Sequence, residues 1–156
     1  MKRIFVELIK NILLFVIYGL LYFIIETIYK GHLTDYRMFI LGGLIGFIVG
    51  IINNAFSFDT DFLLQGMIGA ISITLLEAVF GYQWNVIEHL GIWDYSNMLF
   101  SGVAGQVCLE FSIFTWIPLS LICIILDDSI RYYIYKEERP YYKIFGKKIF
   151  EIPLRK

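Results

Sequence analysis

Residues 38–130 contain no lysine or arginine, while basic residues stand on both sides of that gap. This is the layout of a membrane core with cytoplasmic basic ends. The chain is 58% hydrophobic, against roughly 45–50% for ordinary soluble domains, and its mean hydropathy is +0.70. The bilayer is therefore the expected solvent.

Four apolar stretches, residues 11–29, 38–55, 62–82 and 100–126, each approach or exceed the ~20 helical residues that cross a hydrocarbon core. The fourth is over-long and contains Pro118, which a membrane helix tolerates as a kink. The expected fold is all-α: a polytopic membrane protein whose residues 1–130 form a four-transmembrane-helix bundle, followed by a short basic, aromatic cytoplasmic tail, 131–156. The first stretch runs into Glu26 and Lys30 with no small-residue cleavage site behind it, unlike a cleaved signal peptide.

Basic residues cluster at Lys2, Arg3 and Lys10 and again in the tail, which carries eight of the 13 Lys and Arg. By the positive-inside rule both termini are cytoplasmic, an arrangement an even number of spans satisfies. Lys30 and Arg37 then lie outside, and Asp59 and Asp61 inside. The tail's mixture of Lys, Arg, Tyr and Phe suits an anionic membrane surface or, equally, a solvated extension. A formal net charge of −1 gives no sign of a nucleic-acid partner.

Chemistry is sparse. Cys108 and Cys123 would stand about 22 Å apart along one helix, so they do not pair with each other. His32 and His89 have no metal-ligand spacing. No nucleophile motif or phosphate loop is present, and no metal, cofactor or catalytic residue is expected.

Three acids inside apolar spans stand out: Glu26, Glu77 and Glu110. A charge at the bilayer centre costs roughly 2.5–3.5 kcal/mol even on insertion scales, so such residues find partners, hold protons or line a wet cavity. All three fall in the membrane half next to the loops bearing Arg37 and Asp94. Glu88, Asp94 and His89 are close by. A cavity handling cations or protons fits this grouping; polar glue between helices, with Arg37 and the tyrosines as partners, fits it equally.

Small residues mark packing faces. Gly42, Gly46 and Gly50 recur every four residues, the spacing that lets membrane helices approach closely. In the third span Gly66, Ala70, Thr74, Glu77, Gly81, Trp84 and Glu88 form one face that passes from small to polar. The first span carries Glu7, Asn11, Tyr18, Tyr22, Glu26 and Tyr29 in a similar way. "IIETIY" and "LLEAVF" echo each other, too briefly to establish a repeat.

The run "EAVFGYQWNVIEHLGIWDYSNMLFSGVAGQVCLEFSIFTW", residues 77–116, resembles the bacterial family of type IV ABC-transporter permeases. The resemblance rests on Glu77, Gly81, Glu88, Trp93, Asp94, Tyr95, Ser96, Gly105, Cys108, Leu109, Ser112 and Trp116. Glu26, Tyr29, Arg37, Phe39 and Gly42 agree more loosely, so that it covers residues 19–130 and leaves the tail outside. Where the family pattern has Asn-Gly-Arg, this chain has Ala104, Gly105 and Gln106, and an apolar position becomes Glu110. One basic residue is lost and one acid gained, which makes a cationic or neutral ligand easier to accommodate than an anion. The pattern's Pro and Cys-Pro in the second span are replaced by Gly43, Ile45 and Gly46.

The resemblance implies a multi-pass bacterial cell-membrane protein, permease-like, that works as a homo-oligomer or with other membrane subunits and a separate ATPase. Its expected binding residues are Glu26, Arg37, Glu77, Glu88, Trp93, Asp94, Tyr95, Ser96, Gln106 and Glu110. Glu26 and Glu77 form the central pair, Asp94 and Tyr95 close the mouth, and Arg37 is the counter-charge. Gly42, Gly46, Gly50 and Gly81 pack helices. A non-transporting scaffold or assembly subunit is the alternative, and an intramembrane lipid-modifying enzyme a further one.

Overall fold

A computed structural model describes residues 2–155, with residues 2–7 as backbone alone. The side chains of Lys2, Arg3 and Glu7, and Lys156 as a whole, lie outside the described residues. The chain is mostly helical, and four helical segments are long and apolar enough to cross a membrane: Leu8–Lys30, Arg37–Ala55, Phe62–Ile87 and Leu109–Tyr133.

Helix α1 spans Lys2–Lys30, α2 Arg37–Ala55 and α3 Phe62–Gly81, the last continuing into a π-helical turn, Tyr82–Ile87. The fourth crossing is composite: a short α4, Leu109–Phe111, a π-helical turn, Ser112–Trp116, and α5, Ile117–Tyr133. It begins at Leu109 and not near residue 100. A proline ring clashes with the carbonyl four residues earlier in an unbroken α-helix; the widened turn immediately before α5, which has Pro118 at its start, is where the helix absorbs that clash.

Helices α1 and α2 share the most extensive interface. Leu14, Tyr18 and Tyr22 of α1 are buried, as are Met38, Leu41, Ile45 and Val49 of α2. The opposite side of α1 exposes Leu20, Ile24 and Ile28 to the extent of 50%, 50% and 75%, as expected of residues meeting lipid tails. Small residues set the close approach. A Cβ added at Gly42 would fall 2.9 Å from Tyr22 Cγ, and one at Gly46 would overlap the Tyr18 side chain. Gly50 differs, since its added Cβ would lie 3.8 Å from the nearest atom, Asp127 Oδ1.

Asp61 starts α3 by accepting the amides of Leu63 at 3.0 Å and Leu64 at 3.3 Å, satisfying donors a helix leaves open at its N-terminus. At the other end the connection 88–108 is built from turns. Strands β1 (Ser101–Gly102) and β2 (Val107–Cys108) pair antiparallel. Phe100, Val103 and Ala104 adopt φ values of 55°, 50° and 54°, a region costly for residues with a Cβ. Gly105 (φ 79°) sits where a Cβ would lie 2.6 Å from Asp94 Oδ1, so only glycine fits against the 93–96 turn.

The tail departs from an all-α fold. Strands β3 (Tyr141–Ile144) and β4 (Lys147–Glu151) form an antiparallel hairpin that folds back onto the α2–α3 loop. Tyr142 is buried against Phe62, their ring centroids 4.6 Å apart. Asp61 Oδ2 accepts the Phe145 amide at 2.7 Å, and Asp59 accepts from Tyr141 and from the Lys143 ammonium. Neither a surface-lying segment nor a solvated extension describes this inner face.

Candidate functional site

Glu77 projects from the last turns of α3 and is 1% exposed. A carboxylate at such a depth needs donors, and two reach it. Trp116 donates its indole N–H to Oε2 at 2.7 Å, and Tyr95 donates its hydroxyl to Oε1 at 3.2 Å. One donor comes from the π turn of the fourth crossing, the other from the 93–96 turn, so three separate segments converge on one acid. π turns recur at functional sites.

Beside Glu77 lies a cavity of about 190 Å³ whose wall includes Tyr22, Glu26, Tyr29, Lys30, Trp93, Tyr95, Phe111 and Trp116. The aromatic rings form a continuous series. Tyr95 stacks on Phe111 at 5.0 Å, Phe111 stands 6.0 Å from Trp116, and Trp116 6.2 Å from Tyr22. Trp93 enters through a gap left by Gly81, where a Cβ would lie 2.8 Å from the indole, and its N–H donates to Gln106 O at 3.1 Å.

The counter-charge is Lys30, not Arg37. Lys30 Nζ lies 2.8 Å from Glu26 Oε2 and donates to Thr34 Oγ1 and Ile92 O, each at 3.0 Å. Arg37 turns instead to Asp35 at 3.1 Å, because Asp35 also accepts the Arg37 backbone amide where α2 begins. The residues expected together thus divide. Glu26, Trp93 and Tyr95 line the cavity and Glu77 backs it, held by two of the lining side chains. Gln106 is buried, accepts from Asn85 Nδ2 at 2.7 Å and carries the carbonyl that holds Trp93.

The others stand apart from the cavity wall. Glu88 is exposed and accepts from Gln83 at 2.8 Å. Asp94 is exposed and accepts from the Ser96 hydroxyl at 2.5 Å and the Ser96 amide at 2.8 Å. Those two bonds hold its carboxyl below the usual carboxylate range. Asp94 and Ser96 therefore shape the turn that presents Tyr95, whose phenol burial pushes up, with Glu77 and Glu26 adding to the effect. Glu110 sits at the start of α4 beside Cys108, whose Sγ is 4.0 Å away.

A family model described as "Putative ABC-transporter type IV" matches residues 13–150. The chain belongs to this family. The match runs beyond residues 19–130 and takes in the tail hairpin almost entirely, so the hairpin is part of the type IV ABC-transporter pattern and not an addition to it. Neither the curated proteins nor the solved structures give a match. Four apolar helices in a chain of this family make it an ABC-transporter-related membrane protein.

A second polar cluster, which the sequence reading does not name, lies at the opposite ends of α2 and α5. Asp127 is 0% exposed. It accepts from Arg131 Nε and Asn53 Nδ2, both at 3.0 Å, while Asp128 accepts from Asn53 at 2.7 Å and from Tyr142 OH at 2.9 Å. Arg131 reaches Glu137 at 3.8 Å, and Glu137 pairs with Lys10 at 2.5 Å. Its signal in the sequence is the i, i+4 spacing of Asp127 and Arg131, which falls just past the apolar run that ends at 126. This cluster ties α1, α2, α5 and the hairpin together.

Proposed function

We propose that the chain is a permease-like component of an ABC-type transport system, with the Glu77 cavity as its ligand site in the non-cytoplasmic half of the membrane. One observation carries the reading: an acid buried at the level of the bilayer is held by a tryptophan and a tyrosine from separate segments, directly behind an aromatic cavity with a second acid on its wall. Such an intramembrane acid is a functional residue by default. The basic tail, at the end of the bundle away from the cavity, supports cytoplasmic termini by the positive-inside rule. Four helices enclose too little for a complete path, so the working unit includes further copies or other membrane subunits, together with a separate ATPase.

Both Glu77 oxygens are engaged, which is also what polar glue in a scaffold or assembly subunit requires. Flux separates the two readings. Proteoliposomes carrying the wild type with its co-purifying subunits are compared with Glu77→Gln, after circular dichroism has shown that the variant retains its helices. Transport predicts a loss of flux in Glu77→Gln. Equal flux removes the transport role and leaves the scaffold.

A further inference from the structure

The cavity beside Glu77 carries a ligand preference in its own wall, and the argument rests on the reading above that it is a ligand site. The charges come first. Lys30 is the one cation on the described wall, and an ammonium has three donors. Two are placed by hydrogen bonds, on Thr34 Oγ1 and on the Ile92 carbonyl, and the charge is paired with Glu26 Oε2 at 2.8 Å, an oxygen that accepts no hydrogen bond. The ammonium is thus tied to the wall and its charge balanced by Glu26, which leaves no uncompensated cation to attract an anion into the cavity. Arg37, the other cation at this end of the bundle, is taken by Asp35. Beside the single ammonium stand two carboxyl groups, Glu26 on the wall and Glu77 behind it.

The rest of the wall selects among cations. Six side chains around the cavity are aromatic: Tyr22, Tyr29, Trp93, Tyr95, Phe111 and Trp116. Aromatic faces attract cations, and cages of them recognise alkylammonium groups. A bare metal ion instead needs several oxygen, nitrogen or sulfur ligands. No group of three His, Cys, Asp or Glu side chains that could hold one occurs among the described residues. At about 190 Å³ the space is below the range of about 300–1,000 Å³ typical of drug-sized ligands, and suits a head group.

We propose that this cavity binds a small organic ammonium cation, its carbon substituents against the aromatic wall and its charge facing Glu26 with Glu77 behind. Trp93 and Trp116 line the space, so intrinsic fluorescence reads occupancy directly. The full chain in maltoside micelles is titrated with tetramethylammonium chloride, with sodium chloride at matched ionic strength as the reference. The expected result is a saturable fluorescence change with tetramethylammonium and none with sodium. Glu26→Gln weakens it about tenfold or more, the loss of about 1.4 kcal/mol or more.

Tyr29→Ala is the second variant. Its side chain is on the wall yet 76% exposed, so truncation leaves folding intact and weakens binding by a smaller factor. No saturable change, the same change with sodium, or wild-type affinity in both variants overturns the proposal.

Two sources supply such a cation, a free solute or a choline lipid head group, and nanodiscs distinguish them. If the titration persists in phosphatidylcholine discs, the ligand is the free cation. If it is abolished there and present in phosphatidylglycerol discs, the lipid head group occupies the site. Binding without flux refutes the transport reading and leaves this one standing; flux without ammonium binding does the reverse.

Discussion

The Gly42, Gly46 and Gly50 stripe looks uniform in sequence, yet the structure assigns its members opposite responses to an added methyl. At Gly46 the new Cβ would overlap Tyr18 at its own Cβ, an atom too near the backbone to swing away. At Gly42 it would lie 2.9 Å from Tyr22 Cγ, against about 3.5–4.0 Å for an unstrained carbon pair. The Tyr22 and Tyr18 Cβ atoms would lie nearer still, so relief means parting α1 from α2 by more than about 1 Å. Overpacking of that kind costs about 1–3 kcal/mol, partly offset by the ~1 kcal/mol by which alanine exceeds glycine in helix preference. Gly46→Ala should therefore destabilise by up to about 2 kcal/mol. At Gly50 the nearest atom would be 3.8 Å away, an ordinary contact. Gly50→Ala should then be neutral or stabilise by up to ~1 kcal/mol. The assay is denaturation of both variants in mixed micelles, followed by circular dichroism. Equal destabilisation by the two would refute the reasoning, because it would mean that the whole stripe faces one close partner.

Trp116→Phe keeps a ring in the aromatic series but removes the 2.7 Å bond to Glu77. Leaving a buried acceptor without its partner costs about 1–3 kcal/mol, and the same denaturation assay should show a loss in that range. The hairpin latch should respond to pH at both extremes. Tyr141 and Lys143 hold the Asp59 carboxyl below its ordinary 3.8, so its contribution is full above 3.8 and is lost as pH falls through the lower folded value. Asp59 raises Lys143 above its ordinary 10.5, so that contribution is full below 10.5 and is lost as pH rises past the higher folded value. Hydrogen exchange of the Ile144 amide should accelerate beyond its intrinsic pH dependence at each end, and Asp59→Asn should abolish both extra accelerations.

The second crossing was readable almost to the residue, and the third at its start, because polar turns bound them: Asp35 and Arg37 before α2, and Asp61 before α3. The fourth was not. Its apolar run from Phe100 hides a turn in which Phe100, Val103 and Ala104 take left-handed backbone, and hydropathy carries no record of backbone hand. The polar face of α3 was legible as far as Gly81. Beyond it the π turn replaces the 3.6-residue period, and Glu88 leaves the face that periodicity assigns to it. Of the site, Glu26, Glu77, Trp93 and Tyr95 could be found from depth and motif together. Lys30 was passed over in favour of Arg37, since proximity in sequence does not reveal that Asp35 already holds the arginine.

The attachment of the tail hairpin bears on the order in which the chain assembles. Tyr142 supplies a partner to Asp128, and Phe145 one to Asp61, yet both are synthesised after all four crossings. Since synthesis is vectorial, helices α1 to α5 enter the bilayer before that set of bonds can be completed. Asp127, Asp128 and Asn53 wait with Arg131 until the hairpin arrives. A nascent chain stalled before residue 140 would thus present an incomplete polar end, lacking the Tyr142 bond to Asp128 and the Phe145 bond to Asp61.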